Sequence, residues 1–169
     1  MPKKKTSISV DEALWKEWIR FVVKKTGSAR KLSEELEKAM REYMRKHDLR
    51  STILTDMARW CKEYDLKLDE LPSERFRADA VITGKHVLAL IKIAETCNPA
   101  DVYQLLMSSS LYEQEKGRKP DALILYVYAE RPSDQFIKRC KELGIIVCND
   151  IPTIMSKIVE LDREIQAST

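Results

Sequence analysis

The sequence predicts an α/β chain, α+β overall, in two parts: a head of one strand and two helices, and a body built on a mixed α/β sheet. Three observations carry this. Thr6 to Val10 alternate between apolar and polar positions, which is the period of a strand. Residues 12–44 hold two runs of apolar residues at helical spacing, parted by Gly27. From residue 75 onward, four short apolar runs are interleaved with amphipathic stretches that Pro99, Pro132 and Pro152 introduce.

The totals narrow the class. Of 169 residues, 34% are charged, with both signs present, as expected of a soluble folded chain. No apolar run reaches the roughly 18 residues of a membrane span, and no apolar segment follows the basic start as in a secretory signal. Cys61, Cys97, Cys140 and Cys148 are far apart and form no CxxC pair. That argues against a zinc site or disulfide framework and for a reducing, cytoplasmic setting. Asn and Gln are scarce beside Lys, Arg and Glu, a compositional hint of a thermophile. Residues 1–48 hold 13 Lys and Arg against 8 Asp and Glu, whereas the rest of the chain is slightly acidic. A basic head on a near-neutral body is the charge pattern of a DNA-binding protein.

In chain order, the head (residues 1–48) opens with Lys3-Lys4-Lys5-Thr6-Ser7-Ile8-Ser9-Val10. As a strand, it places Thr6, Ile8 and Val10 on one face and Lys5, Ser7 and Ser9 on the other. Asp11 is positioned to cap a helix whose apolar face includes Leu14, Trp18, Phe21 and Val22, and Gly27 ends it. A second helix is expected from Ser33, with Leu32, Leu36, Ala39, Met40, Tyr43 and Met44 on its apolar face. A lone strand and two helices make too small a core to stand alone. Dimerisation, with two strands paired antiparallel and four helices beneath, solves both problems.

The layout Lys5-x-Ser7-x-Ser9, then Leu14, Trp18, Gly27, Leu36, Ala39, Met40 and Tyr43 resembles the ribbon-helix-helix family of DNA-binding dimers, over residues 4–45. The resemblance implies a ribbon in the major groove, with Lys5, Ser7 and Ser9 facing the bases beside Lys3 and Lys4. It also implies a phosphate anchor at the start of the second helix, within Ser28–Ser33, with Arg30 and Lys31. The turn from Gly27 to Ser33 is about two residues longer than the family's usual turn, which leaves the phosphate-binding amides open.

The body (residues 49–169) follows a polar joint, His47-Asp48-Leu49-Arg50-Ser51. A helix is expected over Ile53–Tyr64, with Trp60 in the core, and Leu66-x-Leu68 suggests a short strand or extended link. Strands are expected at Arg75–Ile82, His86–Ala94, Ala122–Tyr128 and Ile145–Cys148, with a turn at Thr83-Gly84-Lys85. Helices are expected after Pro99, Pro132 and Pro152. With four Gly in the chain, there is no glycine-rich phosphate loop.

This order resembles the restriction-endonuclease-like fold of the PD-(D/E)XK nucleases. The resemblance implies an Mg²⁺ site on the hairpin, with Asp79 at the first acidic position, Lys92 at the lysine, and Gln104 a polar group on the following helix. The second acidic position is Leu90. A migrated carboxylate would have to replace it, with Glu95, Glu74 and Glu113 as the candidates. The sequence therefore points to a duplex-DNA-binding homodimer or higher oligomer, nucleoid-associated and acting in transcriptional regulation or DNA organisation. Its nuclease-like body would be inactive and without cofactor. The alternative is an Mg²⁺-dependent endonuclease delivered by its head. His47 and His86 join no triad or metal motif, and Ser108-Ser109-Ser110 lacks a nucleophile elbow.

Overall fold

A computed structural model of the chain describes residues 7–168. It is mixed α+β, with five α-helices and a five-stranded mixed sheet among the described residues. Two compact units meet at Leu49 and Arg50, one residue beyond the boundary expected from the sequence.

The first unit holds α1 (Glu12–Thr26), a 3₁₀ turn (Ala29–Lys31) and the first half of α2 (Leu32–Glu63). Asp11 caps α1, its Oδ1 accepting from Leu14 N at 3.0 Å. Gly27 ends the helix at φ 74°, a conformation that costs glycine little. The expected joint at residues 47–51 is instead helical, and α2 runs unbroken from the first unit into the second. That stretch is polar but contains neither Gly nor Pro, so nothing in it breaks a helix. Ser7–Val10 are exposed and form no strand within the single chain.

The second unit is a sheet with helices on both faces. Strand order is β1-β2-β3-β4-β5, for Lys67–Glu70, Ala80–Thr83, Leu88–Ala94, Ala122–Val127 and Ile145–Cys148. β1, β2 and β3 pair antiparallel; β3, β4 and β5 pair parallel. The parallel pairs need crossovers, which α3 (Pro99–Lys116) and α4 (Asp134–Glu142) supply. Leu90 and Ala94 pack with Val102 and Leu105 of α3 and Cys140 of α4. On the other face, Leu54, Met57 and Cys61 of α2 are buried, as are Ile154, Met155 and Ile158 of α5 (Ile151–Ala167). Cys61 Sγ lies 3.8 Å from Met155 Sδ. β3 is thus covered on both faces, as its nearly continuous apolar run anticipates.

Three expectations need correcting. The strand expected from Arg75 begins at Ala80. Phe76 and Ala78 are buried at period two, but Arg75 N and Phe76 N bond to Pro72 O, while Arg77 N and Ala78 N bond to Ser108 Oγ. The segment is a turn pinned to α3. Trp60 is only half-buried and stacks on Tyr64. The strand expected from His86 begins at Leu88, because His86 and Val87 give their amides to Asp162 Oδ1 at 2.7 and 2.8 Å.

The same Asp162 sets the turn before β3. A Cβ on Gly84 would lie 2.8 Å from its Oδ1 and 2.9 Å from Val87 Cγ1, and two amides hold that oxygen in place. Gly84→Ala is therefore expected to cost about 1–3 kcal/mol of unfolding free energy, measurable by chemical denaturation. An unchanged midpoint would mean that the turn has room to relax.

Candidate functional site

Two sets of residues are candidates, one in each unit. In the first unit, Lys3, Lys4 and Lys5 lie outside the described residues, and Ser7 and Ser9 are exposed. Ser28, Arg30, Lys31 and Ser33 share the turn into α2. Ser28 Oγ accepts from Arg30 N at 3.2 Å, and the amides of Lys31 and Leu32 bond back to Ser28 O and Ala29 O. The 3₁₀ turn accounts for the extra length of this connection. It engages those three amides internally and starts α2 at Leu32, one residue before the expected Ser33. Arg30 and Lys31 remain exposed.

Glu35, in the first turn of α2, is the buried acid of this unit. It pairs with Lys25 of α1 at 2.8 Å and with Lys38 at 3.0 Å. The hydrogen bond from Lys25, then that from Lys38, holds its carboxyl below the ordinary value of 4.5. The tie joins residues of two helices ten positions apart in the chain, and no local pattern in the sequence marks it.

The first unit also leaves much apolar surface open. Ile8 is 63% exposed, Leu14 58%, Phe21 53%, Met40 56% and Tyr43 69%. Ile8, Val10, Glu12, Trp15 and Leu36 line a groove of about 420 Å³. Val22 is the one fully covered apolar side chain among the described residues of this unit.

In the second unit the site centres on Asp79, 7% exposed, just before β2. Its backbone N donates to Ile91 O at 2.8 Å, and its O accepts from Leu71 N at 2.9 Å. Its side chain is equally committed: Oδ2 accepts from Ile93 N at 2.6 Å, and Oδ1 from Arg50 Nε at 2.5 Å. The pairing Ala80↔Ile91 brings Lys92 opposite Asp79, as the hairpin motif anticipates. Yet Lys92 Nζ reaches Asp101 Oδ1, at 3.8 Å, in the first turn of α3. Burial pushes the Asp101 carboxyl up, Lys92 partly offsets this, and the charge of Asp79 adds to the rise.

Leu90, at the second acidic position of the nuclease pattern, is fully buried against α3. The carboxylate that joins Lys92 is Asp101, and not Glu95, Glu74 or Glu113. Gln104 is half-buried one turn farther along α3. Asp101 and Arg50 escaped sequence reasoning. Asp101 lies in the first turn of the helix expected after Pro99, and Arg50 falls in the expected joint.

Two carboxylates balanced by two cations present no net negative charge to a divalent metal, and both Asp79 oxygens already accept hydrogen bonds. No group of three or more His, Cys, Asp or Glu suited to a metal occurs among the described residues. The donor set as arranged does not fit the Mg²⁺ that the nuclease resemblance implies. Comparison with protein-family models, curated proteins and solved structures gives no match to this chain.

Two outcomes follow from these geometries. Asp79→Ala leaves the partly buried Arg50 without its counter-charge and removes the acceptor of Ile93 N; it is expected to cost about 3 kcal/mol in denaturant unfolding. A cost near zero would mean that the ion pair is dispensable. Glu35, with its folded pKa below 4.5, adds stability that is complete above that value. The contribution is lost as pH falls through the lower folded value. The difference in melting temperature between wild type and Glu35→Gln should shrink on acidification through this range. A difference independent of pH would exclude the ionic tie.

Proposed function

We propose that this chain binds duplex DNA as a homodimer through its first unit, in transcriptional regulation or DNA organisation, and that its second unit does not cleave DNA. The reading places the protein in the cytoplasm, on the nucleoid. The observation that carries it is the open apolar surface of the first unit. The helix pair leaves the apolar side chains Leu14, Phe21, Met40 and Tyr43 more than half exposed. Monomers rarely leave so many large apolar side chains of one small unit uncovered. A second copy would cover it and let Ser7–Val10 pair with the same segment of the partner as an antiparallel ribbon.

The charge supports the partner. Basic residues are in excess over the first 48 positions, and Arg30 and Lys31 stand exposed at the start of α2. Serine and lysine on the ribbon face are weaker base readers than Arg, Asn or Gln, so binding is expected to tolerate sequence changes in the DNA.

One observation favours the alternative of an Mg²⁺-dependent endonuclease: Asp101 supplies a second carboxylate beside Lys92. The commitment of both Asp79 oxygens weighs against it. Incubating supercoiled plasmid with the chain and Mg²⁺ separates the two readings. Uncut plasmid is expected; cleavage that Asp79→Ala abolishes would establish the nuclease.

DNA binding itself is expected to fall about 10³-fold in affinity between 50 and 200 mM salt, as for roughly six phosphate contacts. Joint replacement of Lys5, Ser7 and Ser9 by Ala should remove most of it while leaving the dimer intact in sedimentation. Unchanged affinity in that variant would rule out the ribbon as the reading surface.

A further inference from the structure

A second hollow of the second unit shares no residue with the Asp79 cluster. One wall is a face of α3, where Leu106, Ser109 and Glu113 recur at helical spacing. Lys119 and Leu123 close it from the segment entering β4, and Leu143 from the end of α4. The hollow measures about 440 Å³, within the range of small-molecule sites.

Ser109 is the one buried polar residue of this lining, 9% exposed. Among the described residues its hydroxyl has no hydrogen-bond partner. The hydroxyl of its neighbour Ser108, by contrast, accepts from Arg77 N and Ala78 N at 3.0 and 2.9 Å. Nor is the Ser109 oxygen sealed off, since the enclosed side-chain atom without a partner among the described residues is Trp18 Nε1. Ser109 Oγ therefore opens onto the hollow with a hydrogen bond still to give.

Two opposite charges stand at the same hollow. Glu113 and Lys119 are exposed, and neither enters an ion pair among the described residues, with each other or with a third group. Glu113 belongs to the last turn of α3, whose carbonyl end adds to its negative field. Asp121, the other carboxylate of the lining, is already spent on Leu88 N at 2.8 Å and Arg118 at 3.1 Å. A molecule with only an anionic group would be repelled by Glu113, and one with only a cationic group by Lys119. The complementary molecule carries both on an apolar body.

We infer that this hollow binds a free α-amino acid with an apolar side chain. Lys119 meets its carboxylate, Glu113 its ammonium, and Ser109 gives a hydrogen bond, while Leu106, Leu123 and Leu143 cover the side chain. The inference concerns the second unit alone and stands whether or not the first unit binds DNA.

L-Phenylalanine is the probe, beside 3-phenylpropanoate, which lacks the ammonium, and 2-phenylethylamine, which lacks the carboxylate. On titration into the full chain, L-phenylalanine is expected to shift the amide resonances of Ser109, Leu123 and Gly144, with a dissociation constant on the order of 1 mM. Each truncated compound should bind about three- to fivefold more weakly, as the loss of one exposed ion pair implies. The exposed charges can be replaced without touching the core, which separates recognition from structure. Lys119→Met should lower affinity for L-phenylalanine but not for 2-phenylethylamine. Glu113→Gln should lower it for L-phenylalanine but not for 3-phenylpropanoate. Ser109→Ala should weaken L-phenylalanine binding with both charges in place. No shift at these amides up to about 20 mM L-phenylalanine would overturn the inference. So would equal affinity for the three compounds, or charge variants that leave the order of preference unchanged.

Discussion

Asp79 is where this fold is tied together. Its backbone joins the segment after β1 to β3, and its carboxylate bonds an amide of β3 and the guanidinium of Arg50 on α2. Every polar atom of the residue that these bonds use is spent on architecture. The hairpin of β2 and β3 thus depends on a charge it does not itself balance, and α2 supplies the balance. A largely buried carboxylate without such partners would be strongly destabilising. With them it becomes a rivet through which helix and sheet keep a fixed relation within the second unit.

The first unit obeys the opposite logic. Among the described residues, the ties that join its elements include one buried valine, the Glu35 bridge between α1 and α2, and the Ser28 and Thr26 hydroxyl bonds that shape the turn. Its apolar face is left open. A unit with so little interior cannot repay the entropy of ordering its helices from its own contacts. On the reading proposed here, assembly completes the core and the same event creates the DNA-reading ribbon. Folding, dimerisation and recognition then share one free-energy balance.

Much of this architecture is legible in the sequence, for identifiable reasons. β3, β4 and β5 are near-continuous apolar runs because both of their faces are covered. α3 and α5 announce themselves through Pro99 and Pro152 in their first turns, and the structure adds Asn98 and Asp150 as their caps. The misreadings share a cause: side-chain pattern was taken as backbone state. Polar residues 47–51 read as a joint, although nothing there interrupts a helix. Residues 75–78 alternate in burial like a strand, yet their amides bond to Pro72 and to a serine of α3. The Asp79 and Lys92 pairing was legible because hairpin register is local. The partners of these two were not: Arg50 meets Asp79 across 29 positions of chain, and Asp101 meets Lys92 from the first turn of α3, both through tertiary packing.

The central claim is a division of labour: the first unit meets DNA, and the charged cluster of the second is structural. Amide chemical-shift mapping of the chain on titration with a short DNA duplex tests it most directly. The account predicts shifts concentrated at Ser7–Val10 and Ser28–Ser33, with Asp79, Ile93 and Asp101 unmoved. Shifts centred on Asp79, Ile93 and Asp101, with the first unit silent, would contradict it.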